Sequence, residues 1–298
     1  MKLQILLIAH VSAIGWLGIT KTETDEFCQS ESFDHIQKRL CERHSRFIPA
    51  IRHAAQSSIR ECNNGMNSRR WGCKSLKSLP ILKREMRTAT VESAFVQALS
   101  SAQLTSSMYR LCESGTVGAC SRHNIQQFVT EFTDAVSIRH KTRAGAQIEM
   151  HNAKVGRETS WRSKGTICKC HGQSGSCTQK TCWRTAPDDK VVISKLTKKY
   201  DHAAKIFVGS DSFPAELSRF VAHDRLLYTE PKRSYCQSTR GRTCEPDSNK
   251  SDSCDKMCCN RGFIQKQKTV IDEYCRFIWP ASVKCEPAIK TFTTYLCK

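Results

Sequence analysis

Acidic residues are scarce in this 298-residue sequence: 28 Asp and Glu stand against 47 Lys and Arg, a formal charge of +19. That imbalance favours anionic partners. Beyond the first twenty residues no apolar run reaches membrane-spanning length, which excludes a channel. Neither His-Glu-x-x-His nor Gly-x-Gly-x-x-Gly occurs, so the signatures of zinc hydrolases and dinucleotide enzymes are missing. Hydrophobic residues make up 39% of the chain, enough for a sizeable core in one large or two ordinary domains. What abounds is cysteine. There are 18, an even number foreign to a reducing cytosol.

The first residues agree with that compartment. Lys2 supplies a positive start, an apolar run covers residues 3–14, and small residues follow at Gly15 and Gly18. This reads as a cleaved signal peptide over residues 1–19, delivering every cysteine to the secretory pathway and the protein to the extracellular space and matrix. Cysteine density then divides the chain. Residues 236–298 carry eight cysteines, the density of a disulfide scaffold, whereas residues 121–167 and 183–235 carry none. The thinner part has helical periodicity at Val91, Phe95, Ala98, Leu99 and Ala102. Ile125, Phe128, Val129, Phe132 and Val136 repeat it, as do Val192, Leu196, Tyr200 and Ala203. In the denser part, residues 269–271 and 292–295 suggest strands. The expected architecture is α+β and disulfide-rich: a helical domain over residues 20–228, then a small β-rich domain over residues 229–298.

The segment Cys168-Lys-Cys-His-Gly-Gln-Ser-Gly-Ser-Cys177, running on to Cys182-Trp183, carries the most information. Cys168, Cys170, His171, Cys177 and Cys182 could ligate zinc, but Cys-x-Cys-His lacks knuckle spacing and secreted thiols oxidise. Gly172-Gln-Ser174 begins like a nucleophile elbow, yet position 176 is Ser where the motif requires Gly. A third reading is a hairpin clamped by disulfides around a Gly-rich turn. Bridging Cys170 with Cys177 inside Cys168 with Cys182 gives unequal index sums, which implies a bulge in the ladder. A fourth gives that rigid turn a task, the presentation of a serine.

Those residues, followed by Lys-Thr-Cys182-Trp183, resemble the signature of the Wnt family of secreted signalling proteins. Glu61-Cys62 with Arg69-Arg70-Trp71-x-Cys73 is similar to a further Wnt block, as are Glu92-Ser93-Ala94-Phe95 and Asp255-Lys-Met-Cys-Cys259-x-Arg-Gly262, in the family's order. The likeness covers nearly the whole chain after Cys28. It implies a hand-like fold with two projections, a thumb hairpin at residues 168–182 and an index-finger hairpin at residues 275–285. Ser174, flanked by Gly172 and Gly175 at the thumb tip, corresponds to the serine that receives a palmitoleoyl ester from the acyltransferase Porcupine. Both projections would grip the cysteine-rich domain of Frizzled receptors, with Phe277, Ile278, Trp279 and Val283 at the finger tip. The Wntless carrier and a lipoprotein-receptor-related co-receptor are further implied partners, and no catalytic step, metal or cofactor beyond the covalent lipid is implied.

The resemblance also implies a pairing: Cys28–Cys41, Cys62–Cys73, Cys112–Cys120, Cys168–Cys182, Cys170–Cys177, Cys236–Cys259, Cys244–Cys254, Cys258–Cys297 and Cys275–Cys285. Where the family carries further cysteines this chain has Glu273, Pro280, Ala281 and Ala288. In the usual pattern the outer two bridge each other and the middle two form a vicinal bridge. A bridged loop after Cys120 is missing too. Asn249-Lys-Ser251 is a glycosylation sequon in a polar loop. Basic clusters at residues 74–87, 139–143 and 195–205, with the high net charge, favour heparan sulfate proteoglycans; nucleic acid is excluded for a secreted chain. The competing function is a secreted disulfide-rich binding protein that no longer signals through Frizzled.

Overall fold

Asp34, Thr90, Ser121 and Asp188 each precede a helix and accept hydrogen bonds from its unpaired first-turn N–H groups. At Asp34 the cap is reciprocal, since the Gln37 side chain accepts from the Asp34 N–H. These caps open α1 (His35–Arg43), α3 (Val91–Glu113), α4 (Arg122–Asp134) and α6 (Asp189–Asp201). Helices α2 (Ile48–Gly65) and α5 (Arg143–Trp161) lie among them in the chain. The computed structural model describes residues 14–21, 27–79, 84–118, 120–135, 143–207 and 224–298. The chain forms two units, Met1–Gly65 with Cys73–Lys232, and Met66–Gly72 with Arg233–Lys298. It is an α+β, disulfide-rich fold.

Helix α3 is the axis of the first unit. Periodicity predicts one apolar face, but Val91–Met108 is buried on every side. Most of the intervening residues are small, and their hydroxyls bond back along the chain or across it; Glu92, Gln97 and Gln103 are the larger exceptions. Thr105 Oγ1 donates to the Ser101 carbonyl at 2.8 Å, and Ser106 meets Ser160 at 2.8 Å. Small side chains also let α5 approach closely: a Cβ added at Gly156 would lie 1.9 Å from the Ala98 carbonyl oxygen. Between α5 and α6, strands β1 (Gly165–Cys170) and β2 (Lys180–Thr185) form an antiparallel hairpin. Short strands β3 (Ala204–Lys205) and β4 (Leu227–Tyr228) pair in parallel.

The second unit is small. A five-residue helix α7 (Cys254–Cys258) contributes Cys254, Met257 and Cys258 to a core shared with Cys244 and Cys297. Strands β5 (Thr243–Cys244), β6 (Phe263–Ile278) and β7 (Ser282–Cys297) form one antiparallel sheet in the order β5-β7-β6. Beyond its base, the β6–β7 hairpin is exposed along nearly its whole length. The expected division at residue 228 misses one piece, because Met66–Gly72 belongs to this unit. Arg242 holds that piece by donating to the carbonyls of Arg69 at 2.6 Å and Arg70 at 2.8 Å. Arg70 Nε in turn donates to the Lys256 carbonyl at 2.7 Å.

All 18 cysteines are bridged, in the pairs Cys28–Cys41, Cys62–Cys73, Cys112–Cys120, Cys168–Cys182 and Cys170–Cys177 in the first unit, and Cys236–Cys259, Cys244–Cys254, Cys258–Cys297 and Cys275–Cys285 in the second. Among the described residues no helix is long and apolar enough to cross a membrane.

The expected leader needs a correction. Residues 1–13 lie outside the described residues, but Ile14, Trp16, Leu17 and Ile19 are fully buried in the helical unit. Trp16 meets the Phe132 ring edge-on at 5.6 Å, and Phe132 packs against Phe33 and Phe128. An apolar run looks alike whether it is a leader or a core segment, and here residues 14–19 are core. A boundary at residue 19 would remove these side chains; one before Ile14 keeps them. Trp16→Ala should therefore destabilise the protein by about 3–5 kcal/mol. Thermal unfolding checks this, and an unchanged midpoint would return Trp16 to the leader.

Candidate functional site

The β1–β2 hairpin pairs Gly165 with Thr185 through Cys170 with Lys180 in an unbroken register. The expected ladder bulge is therefore absent. Cys168 and Cys182 face each other within the ladder, while Cys170 reaches past its ladder partner to Cys177 in the loop. The unequal spacing is absorbed by residues 171–179. The sulfurs considered as zinc ligands are all taken up in S–S bonds. Each bridge closes a short loop and contributes about 2–3 kcal/mol by restricting the unfolded chain. That matters because β1 and β2 bury almost nothing.

The tip is tied by backbone hydrogen bonds. His171 N–H donates to the Gln179 carbonyl at 2.7 Å, Gly172 N–H to Ser176 at 2.8 Å, and Gly175 N–H to Gly172 at 3.0 Å. Gly172 is required here, since a Cβ would lie 2.3 Å from the Ser176 carbonyl oxygen. Ser174 sits at the apex with φ 58°, ψ 27°, followed by Gly175 at φ 79°. A left-handed non-glycine residue is held there by its surroundings. Its side chain is exposed and has no hydrogen-bond partner among the described residues, whereas the Ser176 hydroxyl lies 3.3 Å from Thr178 Oγ1. The two serines are therefore chemically unlike: one hydroxyl is presented outward, the other is engaged.

In the second unit, Cys275 faces Cys285 across β6 and β7, and Trp279-Pro280-Ala281 makes the turn. Trp279 is 84% exposed, Phe277 66% and Val283 65%, with Ile278 also exposed. These side chains stand out into solvent rather than folding back. Glu273 faces Pro287 and Ala288 faces Asp272, so the two positions bridged in the family pattern do not face each other here. Asn249 is exposed, its carbonyl accepting from Lys256 Nζ at 2.6 Å.

Sequence reading did not anticipate the base of the first hairpin. Lys164, immediately before β1, places its ammonium 3.1 Å from the Trp161 ring centroid and 4.0 Å from that of Tyr109. Arg122 also lies over the Trp161 ring, 4.3 Å from its centroid. Burial, with Arg122 and Arg184 nearby, pushes the Lys164 pKa down from 10.5 to about 8, against the pull of Glu113 and the aromatic faces. Between about 8 and 10.5 the folded chain holds fewer protons than the unfolded one, so stability rises with pH across that window. The NMR titration of the Lys164 side chain should show it losing its proton well before the exposed lysines; titration together with them would mean the aromatic contacts keep it charged.

Comparison with known proteins agrees with this arrangement. The profile of the wnt family matches residues 29–127 and 118–298. Protein Wnt-11 of Xenopus laevis is 30% identical over 330 residues, covering 96% of this chain and 94% of that protein. Protein Wnt-5a of Pleurodeles waltl is 30% identical over 303 residues, covering 88% and 84%. A chain in the solved complex of human WLS with WNT8A superposes with a TM-score of 0.64 at 25% identity, covering 96% of this chain and 99% of that one. The protein belongs to the Wnt family of signalling ligands.

Proposed function

We propose that this chain is a secreted ligand, acylated on Ser174, that binds the cysteine-rich domain of Frizzled receptors in developmental signalling. The observation that carries the reading is the Ser174 hydroxyl, exposed and unengaged at the apex of a doubly bridged hairpin. Acyl transfer needs an oxygen that a membrane enzyme can reach, and Porcupine is the acyltransferase of this reading. A chain of about twelve buried methylenes supplies on the order of 10 kcal/mol gross, at about 0.8 kcal/mol each. Ordering and association costs remove much of it. The lipid would still exceed any single side-chain contact.

The solved complex of a Wnt protein with WLS supports a similar carrier, Wntless, for this chain during secretion. Heparan sulfate proteoglycans and a lipoprotein-receptor-related co-receptor remain partners by family likeness, as does glycosylation at exposed Asn249. A second contact falls to the finger tip, where exposed aromatic residues are the kind that dominate interface hot spots.

Two measurements test the reading. Ser174→Ala should remove the fatty-acyl mass from the secreted protein and abolish receptor binding, while Ser176→Ala should keep both. Loss of the lipid in Ser176→Ala alone would overturn the assignment. Trp279→Ala should weaken binding to a Frizzled cysteine-rich domain by about 1–3 kcal/mol without affecting secretion. Unchanged affinity would leave the finger without an anchoring role.

A further inference from the structure

Strand β6 is a sheet edge from end to end. β7 lies between β5 and β6, so one side of β6 has no neighbouring strand among the described residues, and all 16 of its residues are exposed. Hydrogen bonds at the base show which backbone groups face that side. Cys297 turns both of its groups toward the β5 side: its N–H donates to the Arg242 carbonyl at 2.9 Å, and its carbonyl accepts from Gly241 N–H at 2.9 Å. Cys297 stands opposite Phe263, so theirs is a non-hydrogen-bonded pair. Phe263 and every second residue after it, through Gln267, Thr269, Ile271 and Glu273, therefore aim N–H and C=O at the free side.

The two long edges of this hairpin are guarded differently. Pro287 removes an outward N–H from β7, but β6 holds neither Pro nor Gly and pairs with β7 without a bulge. Its charges are instead segregated along the strand. Lys266 and Lys268 lie in the first half, Asp272 and Glu273 in the second. That order is self-complementary under a two-fold axis. Antiparallel pairing of β6 with its own copy, centred on Val270, sets Lys268 opposite Asp272 twice and Gln267 opposite Glu273 twice, with residues 263–277 in the ladder. Odd-numbered residues then meet odd-numbered ones, the combination their outward backbone groups need. Lys290 occupies Asp272 Oδ2, and Oδ1 has no partner among the described residues. Sliding the copy by two residues one way brings Lys266 against Arg276. Sliding it the other way shortens the ladder and withdraws Lys268 from Asp272.

We propose that β6 is a homodimer edge, on which two copies of this chain pair β6 against β6, antiparallel about Val270, into one continuous sheet. The lysines repel a strand that brings no acid, whereas a second copy brings Asp272 and Glu273 to meet them. Trp279 lies beyond the ladder, so the dimer keeps both finger tips free, at opposite ends.

The test uses the full chain carrying Ser174→Ala, so that lipid-driven association plays no part and the outcome does not depend on acylation or receptor binding. Sedimentation equilibrium over a concentration series reads the dimer. Lys268→Asp and Asp272→Lys, each alone, should weaken it about tenfold or more, and the two together should return it to within about threefold of the parent, because opposite charges again face each other. The double variant has the parent's net charge, so a weakened dimer there, or an unchanged one in both single variants, would overturn the register. Thr269→Pro, which removes an outward N–H and no bond to β7, should abolish the dimer and keep the unfolding midpoint of the hairpin disulfide-bonded chain. Hydrogen exchange should slow at Gln267, Thr269, Ile271 and Glu273 as concentration rises; a dimer without that protection would be made elsewhere. A dimer that survives denaturation without reductant would be disulfide-linked and would also overturn the proposal. A chain that stays monomeric, with these amides protected only on adding a Frizzled cysteine-rich domain, would give the edge to the receptor instead.

Discussion

The cross-strand disulfide is the constraint on which both projecting hairpins depend. A two-stranded hairpin in water is marginal because it buries too little surface to offset its ordering entropy. Here β1–β2 and the outer part of β6–β7 bury almost nothing. Each carries a disulfide between directly opposed cysteines, with Cα atoms 4.1 Å apart at Cys168–Cys182 and 4.0 Å at Cys275–Cys285. Such short spacings belong to non-hydrogen-bonded pairs, where side chains approach most closely. The bridges thus fix register without displacing a ladder hydrogen bond. Side chains left exposed by this arrangement are available to partners, because stability does not require their burial.

The helical unit works by the opposite principle. Helix α3 is surrounded, so it relies mostly on Ala, Ser and Thr, and its neighbour α5 uses Gly156; Glu92, Gln97 and Gln103 are the larger polar residues buried in it, and the Gln103 amide has no hydrogen-bond partner among the described residues. Asn152 Nδ2 donates to the Leu227 carbonyl at 3.0 Å, and its Oδ1 accepts from the Leu227 N–H at 2.9 Å. One buried amide thereby anchors β4 on α5. Arg157 pairs with Asp134 at 2.7 Å, linking α5 to the end of α4. The thumb grows directly from this packed frame, since α5 ends at Trp161 and β1 starts at Gly165.

Features that were legible in the sequence are those with a local cause. Helices α3, α4 and α6 followed from apolar spacing, and the thumb hairpin from its glycines and cysteines. The rest depended on contacts that spacing does not encode. Nothing local distinguishes the apolar residues 14–19 from a leader; their role is settled by Phe132, more than a hundred positions away. The loop 66–72 lies inside the sequence of the helical domain, yet Arg242 recruits it to the second unit. The bulge inferred from cysteine spacing failed for a related reason. Index arithmetic assumes that both bridges lie in one ladder, but Cys177 lies beyond the strand ends. The cation-bearing aromatic pair below the thumb joins α3, α5 and the start of the hairpin, and no motif announces it.

The finger has two unlike faces, and its pairing explains why. Ile271 faces Ile289 and Phe277 faces Val283 on the same side as the Cys275–Cys285 bridge, all exposed. The other face carries charge: Lys290 bonds Asp272 at 2.8 Å, and Lys284 lies 3.1 Å from Glu286. Because β5 pairs with β7 only at Leu296 and Tyr295, the long outer edges of β6 and β7 are unpaired among the described residues. Unpaired edges invite association with other strands. Two features oppose that. Lysines recur along both strands, and Pro287 lies in a non-hydrogen-bonded pair two residues from Cys285, where its missing N–H would have pointed outward to a free edge. In the family pattern a bridge would cross near this point. In this chain the ladder instead runs regularly through Glu273 and Pro287. Loss of that bridge removes a covalent restraint but leaves the register intact, because one disulfide and fifteen further cross-strand pairs define it. The bridge-side face therefore keeps its order from Ile271 to Trp279, and a partner would meet apolar side chains at Ile271 and Ile289 as well as at the tip, with Glu273 between them.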